Sequence, residues 1–430
     1  MKIAIIGTGI SGLTVADSIH QQHDITLYEA AHYVGGHTNT IDVDCDGRTI
    51  PVDTGFIVFN DRTYPNFIRL LDRLGVNSQP APMTFSVRCD QSNLEYRGAD
   101  LRGLFAQKRN LFRPSFHRLL LDIMKFNRES EKVLEDGDTT ETVQNYFSRH
   151  NYSTQFYQKY FLPLGSSIWS CPHAVFEQFP IYFIVRFYRH HGLLSLKDRP
   201  QWRVLCHGSR SYVQPLTQPF ADRIHLNTAV QSVNRKSDRV QVKTVGGSAD
   251  FDLVVFACHA DQALQILGDQ ATDQEKEVLG SFPYINNSAV LHYDESLLPR
   301  RKKAWAAWNY HIDEETGETA TLTYNMNLLQ SIEASRTFCV TLNRTDHIDP
   351  DKIIRHIQYA HPAFDARQAD MQNRIDDLAG PNRTYYCGAY WGNGFHEDGV
   401  VSGLTVAKHL EKQDGNEQLH LRGTGVASTL

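Results

Sequence analysis

The 430-residue sequence predicts an α/β fold in which a parallel-sheet domain is interleaved with an α+β domain that carries an antiparallel sheet. Three patterns predict it. An apolar, β-branched run at 3–6 leads into a glycine turn and then into apolar residues at helical spacing. A second strand pattern at 24–29 ends in an acid. Alternating patterns between 281 and 345 are typical of antiparallel strands.

The glycine turn is the first candidate binding site. Gly7 suits a tight turn, Gly9 lets the backbone approach a diphosphate, and Gly12 lets the helix pack closely on the strand. Ile10 and Ser11 open the helix, whose unpaired N–H groups and positive dipole end attract an anion. Because glycine turns often merely connect two elements, this fingerprint needs a second signal.

The second signal is the acid at the end of the next strand. Glu29 follows Gly12 by seventeen residues, close to the distance at which a carboxylate accepts both ribose hydroxyls and repels a 2′-phosphate. A surface glutamate at a strand end is the weaker alternative. The two signals together predict a dinucleotide site.

The residues after Glu29 indicate which dinucleotide is bound. This stretch resembles the extension that flavoproteins of the amine oxidase and phytoene desaturase superfamily place after their acid. Its members are Ala30, Gly35, Gly36, His37 and Thr38. In that superfamily the glycine pair lies against the FAD diphosphate, and arginine usually stands where this chain has Tyr33 and His37. The resemblance implies FAD as the cofactor and a Rossmann-like domain of the glutathione-reductase type.

Other segments take expected roles from the same resemblance. It implies that 55–57 pass under the isoalloxazine, that the strand near Val230 pairs with the adenine edge, and that the last helix points its N-terminus at the flavin pyrimidine. The residues concerned are Gly55, Phe56, Ile57, Val230, Ala257, Gly388, Glu397, Asp398, Gly399, Val400 and Val401. A plain buried strand is the alternative for 52–60. For the C-terminal segment the alternative is a loop and a helix that only close the domain.

Three aromatic residues before the last helix are candidates for the reacting face. In amine oxidases two aromatic side chains cage the amine before the flavin, and Phe395 or His396 falls near one such position. Trp391 is close by in the sequence. His396 would be the acid or base if the reaction needs one.

A narrower resemblance concerns the substrate. The run from His396 to Gly399, with 53–58 and 63–67, resembles predicted flavoproteins that are often found with cyclopropane-fatty-acid synthases. It implies oxidation or desaturation of a modified fatty acyl chain or another apolar substrate by hydride transfer to flavin N5. Two alternatives stay open: an amine oxidase acting on a small amine, and a non-catalytic flavin-binding accessory of a lipid-modifying partner enzyme.

A basic segment interrupts this acidic protein. Residues 97–128 hold eight Arg or Lys against two Asp, and apolar residues recur at helical spacing behind Pro114. A solvated basic face on a core-packing helix is the commoner explanation. The alternative is peripheral contact with an anionic membrane.

Composition limits the remaining classes. The net charge of −6 gives no attraction towards nucleic acid. Seven scattered cysteines without a C-x-x-C pair predict reduced thiols in a cytoplasmic protein and no zinc site. No apolar run is long enough to span a bilayer, so any membrane contact would be peripheral, at the inner face. We expect residues 1–75, 205–280 and 378–430 to form the FAD-binding domain, and 76–204 and 281–377 the substrate domain.

Overall fold

The computed structural model describes residues 1–195, 197, 199–312, 320–365 and 367–413. Its strands are β1 Lys2–Ile6, β2 Asp24–Tyr28, β3 Thr40–Cys45, β4 Arg48–Asp53, β5 Phe59–Asn60, β6 Ser78–Pro80, β7 Phe85–Cys89, β8 Leu94–Arg97, β9 Trp202–Leu205, β10 Ile224–His225, β11 Val230–Arg235, β12 Val240–Thr244, β13 Gly247–Phe251, β14 Leu253–Phe256, β15 Tyr284–His292, β16 Trp308–Ile312, β17 Leu322–Asn325, β18 Cys339–Leu342, β19 Ile353–Pro362 and β20 Thr384–Tyr386. Its α-helices are α1 Ile10–Ile19, α2 Pro65–Leu74, α3 Leu101–Leu104, α4 Pro114–Asp136, α5 Val143–Arg149, α6 Thr154–Phe156, α7 Leu162–Trp169, α8 His173–Phe176, α9 Ile181–His190, α10 Val213–Thr217, α11 Ala260–Leu267, α12 Asp273–Leu279, α13 Met326–Leu329, α14 Gln368–Gln372 and α15 His396–Gln413.

A five-stranded parallel sheet forms the first layer, in the order β10-β2-β1-β14-β20. The central strand β1 is buried on both faces, which explains its continuous apolar run. Ile3 and Ile5 join the core shared with α1, α2 and α15, whereas Ala4 and Ile6 join the core under β11–β13 and α11. The strands predicted at 3–6 and 24–29 are confirmed.

A seven-stranded sheet forms the second part, in the order β19-β15-β18-β17-β16-β7-β8. Neighbouring strands run antiparallel except β16 and β7, which are parallel. Its two longest strands, β15 and β19, pair with each other from Tyr284 to His292. The predicted combination of a parallel sheet with an antiparallel sheet is confirmed.

Helices α4 to α9 enclose an aromatic cluster beside this sheet. Phe156, Phe161, Phe176 and Phe179 are fully buried in it. Helix α4 begins at Pro114, where the sequence predicts it, and turns Phe126 into the same cluster. Among the described residues, no helix is both long enough and apolar enough to cross a membrane.

The close contact between α1 and α15 aligns the first and last helices. A Cβ placed on Gly399 would lie 2.6 Å from Cγ2 of Ile10, and one on Gly403 would lie 2.7 Å from the carbonyl oxygen of Ser11. Only glycine lets the two backbones approach this far without displacement. The start of α15 therefore lies beside the start of α1.

Candidate cofactor and active site

A cavity of about 1040 Å³ lies at the edge where the parallel strands end. Gly7 follows β1, Glu29 follows β2, Ala257 follows β14 and Gly388 lies just beyond β20, and all four line the cavity. Ligands of open parallel sheets bind outside the carboxyl ends of the strands. The position of the cavity is therefore that of a nucleotide site.

The glycines of the first turn have different roles. Gly7 has φ +107°, and a Cβ there would lie 2.6 Å from the carbonyl oxygen of Ala257. A Cβ on Gly12 would lie 2.2 Å from the carbonyl oxygen of Gly7. By contrast, a Cβ on Gly9 would meet no atom of the described chain within 4 Å. Gly7 and Gly12 are needed by the fold, whereas Gly9 faces the cavity.

The second glycine pair completes a backbone cradle. Gly35 N donates to the carbonyl oxygen of Thr8 at 3.1 Å, and both Gly35 and Gly36 have positive φ. A Cβ on Gly36 would lie 3.1 Å from Cα of Gly9. Because Gly9, Gly35 and Gly36 carry no side chains, a diphosphate can lie directly against their backbone at the N-terminus of α1.

Glu29 lies at the far end of this cradle. Its carboxylate accepts hydrogen bonds from Thr8 N at 3.0 Å, Thr8 Oγ1 at 2.5 Å and Ala31 N at 2.9 Å. A carboxylate has about four acceptor positions, so these donors leave room for a ribose hydroxyl. Glu29 is the only Asp, Glu, Lys or Arg among the described residues that line the cavity.

His396 is fixed by aromatic and polar contacts. Its ring stacks on Phe56, and its Nε2 lies 2.9 Å from the hydroxyl of Tyr212, which lies 2.7 Å from Oγ1 of Thr38. Burial lowers the pKa of His396 to about 3, and the nearby imidazole of His37 contributes to this lowering. The ring is therefore neutral near pH 7, and Nε2 is already engaged.

The next residues of α15 position the helix and do not line the main cavity. The Glu397 carboxylate accepts from Asn66 N, Asn66 Nδ2 and Phe67 N at 2.7–2.9 Å, which caps α2. Asp398 accepts from Phe395 N at 2.8 Å. Burial raises the pKa of Asp398 to about 7.

The other predicted residues divide into two groups. Those that line the cavity are Gly7, Gly9, Ile10, Ser11, Glu29, Ala30, Gly35, Gly36, His37, Gly55, Phe56, Ile57, Val230, Ala257, Gly388, Phe395 and His396. Those outside the lining are Gly12, Thr38, Trp391, Glu397, Asp398, Gly399, Val400 and Val401. Trp391 packs on Phe282 and Tyr390, and Val400 is buried in the core shared with α1.

Three residues outside the predicted set also belong to the lining. Tyr359 and His361 lie on β19, and His259 follows β14. Helices α7 to α9 supply both core and cavity wall: Trp169 and Phe187 line the cavity, while Phe176 lies in the buried cluster.

The residues present fit FAD. The backbone cradle suits the diphosphate, Glu29 suits the ribose, and the orphaned, buried Nε2 of His37 lies in the same lining. Among the described residues, no cluster of three or more His, Cys, Asp or Glu is arranged to hold a metal ion. Fold and site together define an FAD-dependent oxidoreductase.

Comparison with known proteins supports this assignment to the FAD-dependent oxidoreductases. Residues 10–410 match the family model described as flavin containing amine oxidoreductase. Because the match covers most of the chain, the chain belongs to this family. A zeta-carotene desaturase from Zea mays is 34% identical over 79 residues, which are 18% of this chain and 13% of that protein. The match thus spans about an eighth of the length of that relative.

Solved structures share the fold at low identity. Cyclohexylamine oxidase from Brevibacterium oxydans superposes with a TM-score of 0.70 at 14% identity, over 96% of this chain and 99% of that one. The CLA-producing fatty acid isomerase from P. acnes superposes with a TM-score of 0.63 at 15% identity, over 96% of this chain and 98% of that one. Identities this low establish the fold alone.

Proposed function

We propose that this chain oxidises or desaturates an apolar substrate, with a modified fatty acyl chain as the first candidate. One observation carries the proposal: beyond Glu29, none of the described residues that line the cavity is an Asp, Glu, Lys or Arg. Much of the remaining lining is aliphatic and aromatic. Its members include Leu164, Ile168, Trp169, Phe187, Leu193 and Phe364.

An apolar wall favours an apolar ligand on free-energy grounds. Burying alkyl surface contributes about 25 cal/mol per Å², whereas an ammonium group loses its hydration and needs a carboxylate or stacked rings in return. The only carboxylate in the described lining, Glu29, is already held by Thr8 and Ala31 at the nucleotide end. The zeta-carotene desaturase that matches part of this chain is named for a carotene, which supports the same class.

The roles of the chain's own residues follow from the geometry. FAD, when bound, supplies the group that accepts the hydride. The glycine cradle and Glu29 hold the nucleotide portion, and the apolar segment 55–58 with Phe395 excludes water from the reacting region. We assign the cofactor to residues 1–75, 205–280 and 378–430 because they supply the whole parallel sheet, and the substrate to 76–204 and 281–377.

The same proposal includes delivery of the substrate from an anionic membrane. Large apolar side chains are exposed along the basic segment, with Phe112 85% and Leu101 73% exposed. We call this surface the basic apolar face. It consists of Leu101, Arg102, Lys108, Arg109, Leu111, Phe112, Arg118, Leu121, Met124 and Arg128. Exposed apolar side chains among basic ones suit the interface of an anionic bilayer.

Anaerobic flavin bleaching tests the substrate class. Purified holoprotein is mixed with long-chain fatty acids, phospholipids carrying modified acyl chains, or small amines, and the yellow absorbance is followed. We expect bleaching with an acyl substrate and none with amines. Bleaching by amines alone, or by neither class, would overturn the proposal.

A matched pair of variants links the result to the cavity wall. Leu193 lines the cavity, whereas Leu328 on α13 lies outside the lining and is exposed. We expect Leu193→Glu to slow bleaching by an acyl substrate at least tenfold, because an alkyl chain would then lie against a charge. Leu328→Glu should leave the rate unchanged while FAD content stays equal in both.

A further inference from the structure

Four of the five described histidines that line the cofactor cavity form a cluster, and no Lys or Arg stands among the described residues of that lining. They are His37 after the glycine pair, His259 after β14, His361 on β19 and His396 at the start of α15. A dinucleotide diphosphate carries two negative charges near neutral pH. The cavity therefore receives a dianion without a permanently charged side chain to meet it.

The histidines are close enough to influence one another. The ring centre of His37 lies 5.4 Å from that of His361 and 6.1 Å from that of His259. His37 also stacks on Tyr359 at 4.9 Å. The charge on any one of these rings would be felt by the others at such separations.

His37 has the nitrogen that is best placed to gain a proton. Its Nε2 is buried and has no hydrogen-bond partner among the described residues. The carbonyl of Ala360 lies within hydrogen-bonding reach of the same imidazole. His37 directly follows Gly36, where a Cβ would lie 3.1 Å from Cα of Gly9 in the glycine cradle. A protonated Nε2 would carry positive charge beside the part of the cavity that suits a diphosphate.

The cluster is neutral in the chain alone. Burial, followed by repulsion from His259, lowers the pKa of His37 to about 4, and burial likewise lowers the pKa of His361 to about 3. The titratable groups that face His37 are His259, His361, His396 and Tyr359, and none of these is a carboxylate. Glu29 is the only carboxylate in the described lining, and its partners are Thr8 and Ala31 rather than these rings.

We infer that this histidine cluster takes up a proton when a dinucleotide diphosphate binds, with Nε2 of His37 as the receiving atom. The proton comes from the buffer and the imidazole becomes an imidazolium, so positive charge is created only when the anion is present. FAD affinity is then coupled to pH. The inference rests on the cofactor and not on the proposed substrate, so each can fail while the other stands.

Calorimetry of the apoprotein counts the proton directly. FAD is titrated into apoprotein at pH 7.5 in two buffers of different ionisation enthalpy, and the difference in observed heat gives the number of protons taken up. We expect about one proton per FAD. We also expect affinity to weaken towards tenfold for each unit of pH between about 6.5 and 8.5. Uptake near zero with a pH-independent Kd would overturn the inference.

Variants and ligands identify the source of the effect. His37→Arg already carries the charge, so it should bind FAD without proton uptake. His356→Gln changes an exposed histidine on the same strand as His361 and should behave like the parent chain. ADP-ribose, which retains the diphosphate, should give the same uptake as FAD, and riboflavin should give none. Uptake with riboflavin, or unchanged uptake in His37→Arg, would contradict the assignment to His37.

Discussion

The imidazole of His396 lies flat on the ring of Phe56, with ring centres 3.7 Å apart and planes 7° from parallel. The contact joins the first turn of α15 to the segment that follows β4. On its other side, His396 is held by the hydroxyl of Tyr212, which also contacts Thr38. Three distant parts of the chain are thereby fixed at one wall of the cofactor cavity.

Removing the central hydroxyl should weaken this wall. In Tyr212→Phe, Oγ1 of Thr38 and Nε2 of His396 each lose a buried partner, which costs about 1–3 kcal/mol of the free energy of unfolding. Urea unfolding followed by circular dichroism measures the loss. Tyr293→Phe removes a hydroxyl that donates to the carbonyl of Asp351 nearer the surface, and it should cost about 0.5 kcal/mol or less. Equal losses in the two variants would refute the role of Tyr212.

The glycines of the first turn should separate folding from cofactor binding. Gly9→Ala adds a methyl group that meets no described atom within 4 Å, and φ at Gly9 is −65°, so the apoprotein should unfold as the parent does. The same methyl enters the space for the diphosphate, so FAD affinity should fall about tenfold or more. Fluorescence quenching of FAD measures this affinity.

The opposite behaviour is expected at Gly12. In Gly12→Ala the new methyl would lie 2.2 Å from the carbonyl oxygen of Gly7, and a backbone atom there cannot move aside cheaply. The apoprotein itself should be destabilised by about 2 kcal/mol or more. A destabilised Gly9→Ala together with a stable Gly12→Ala would contradict the roles assigned to the two glycines.

Local sequence patterns are enough to predict much of this fold. The strand at 3–6, the glycine turn and the acid at Glu29 are set by neighbours in sequence, so spacing alone predicts them. The same holds for the start of α4 at Pro114. Segments of this kind can be predicted because their burial and their turns depend on the residues next to them.

Long-range contacts explain what could not be predicted. Glu397 lies in a motif that the family resemblance assigns to the cofactor, yet its carboxylate caps α2 more than 300 residues earlier in the chain. His361 reaches the cavity only because β19 pairs with β15, and its own surroundings in the sequence give no such signal. When the partners of a side chain lie on strands remote in the sequence, no local spacing pattern indicates its role.

The stability of the folded chain should depend on pH through the carboxyl group of Asp398. Burial raises the pKa of this carboxyl from 3.8 to about 7, so the folded chain binds a proton that the unfolded chain has released. Its contribution to stability is therefore present below about pH 4 and is lost as the pH rises to 7. We expect Asp398→Asn to gain about 1–2 kcal/mol on the parent between pH 5 and pH 8.

Comparing the parent chain with Asp398→Asn isolates the effect of the Asp398 carboxyl group on stability. Burial also raises the pKa of Asp53, to about 6, but Asp53 is present in both chains and its effect cancels. Urea midpoints at pH 5 and pH 8 give the comparison. The amide oxygen that Asp398→Asn introduces can still accept from Phe395 N, so the cap of α15 is kept. Parallel pH profiles for the two chains would mean that Asp398 is ionised throughout.

The basic apolar face should bind anionic vesicles through its most exposed ring. Phe112 is 85% exposed amid Lys108, Arg109 and Arg113, whereas Val245 is 84% exposed in a turn far from that segment in the chain. Co-sedimentation with phosphatidylserine-rich vesicles is measured for the parent, Phe112→Ser and Val245→Ser. Phe112→Ser should weaken binding about tenfold, because its ring no longer enters the interface. Val245→Ser should bind as the parent does.

Salt and lipid charge distinguish the bilayer from other partners of this face. Electrostatic attraction to anionic lipid is screened over about 10 Å at 0.1 M salt, so binding should fall as salt rises and should be weak with neutral phosphatidylcholine. Binding that is equal on neutral vesicles would assign the attraction to apolar contact alone. If no vesicle binds and Phe112→Ser instead changes the oligomeric state, the face is a contact between protein chains. The substrate would then reach the apolar wall near Leu193 from solution rather than from a membrane.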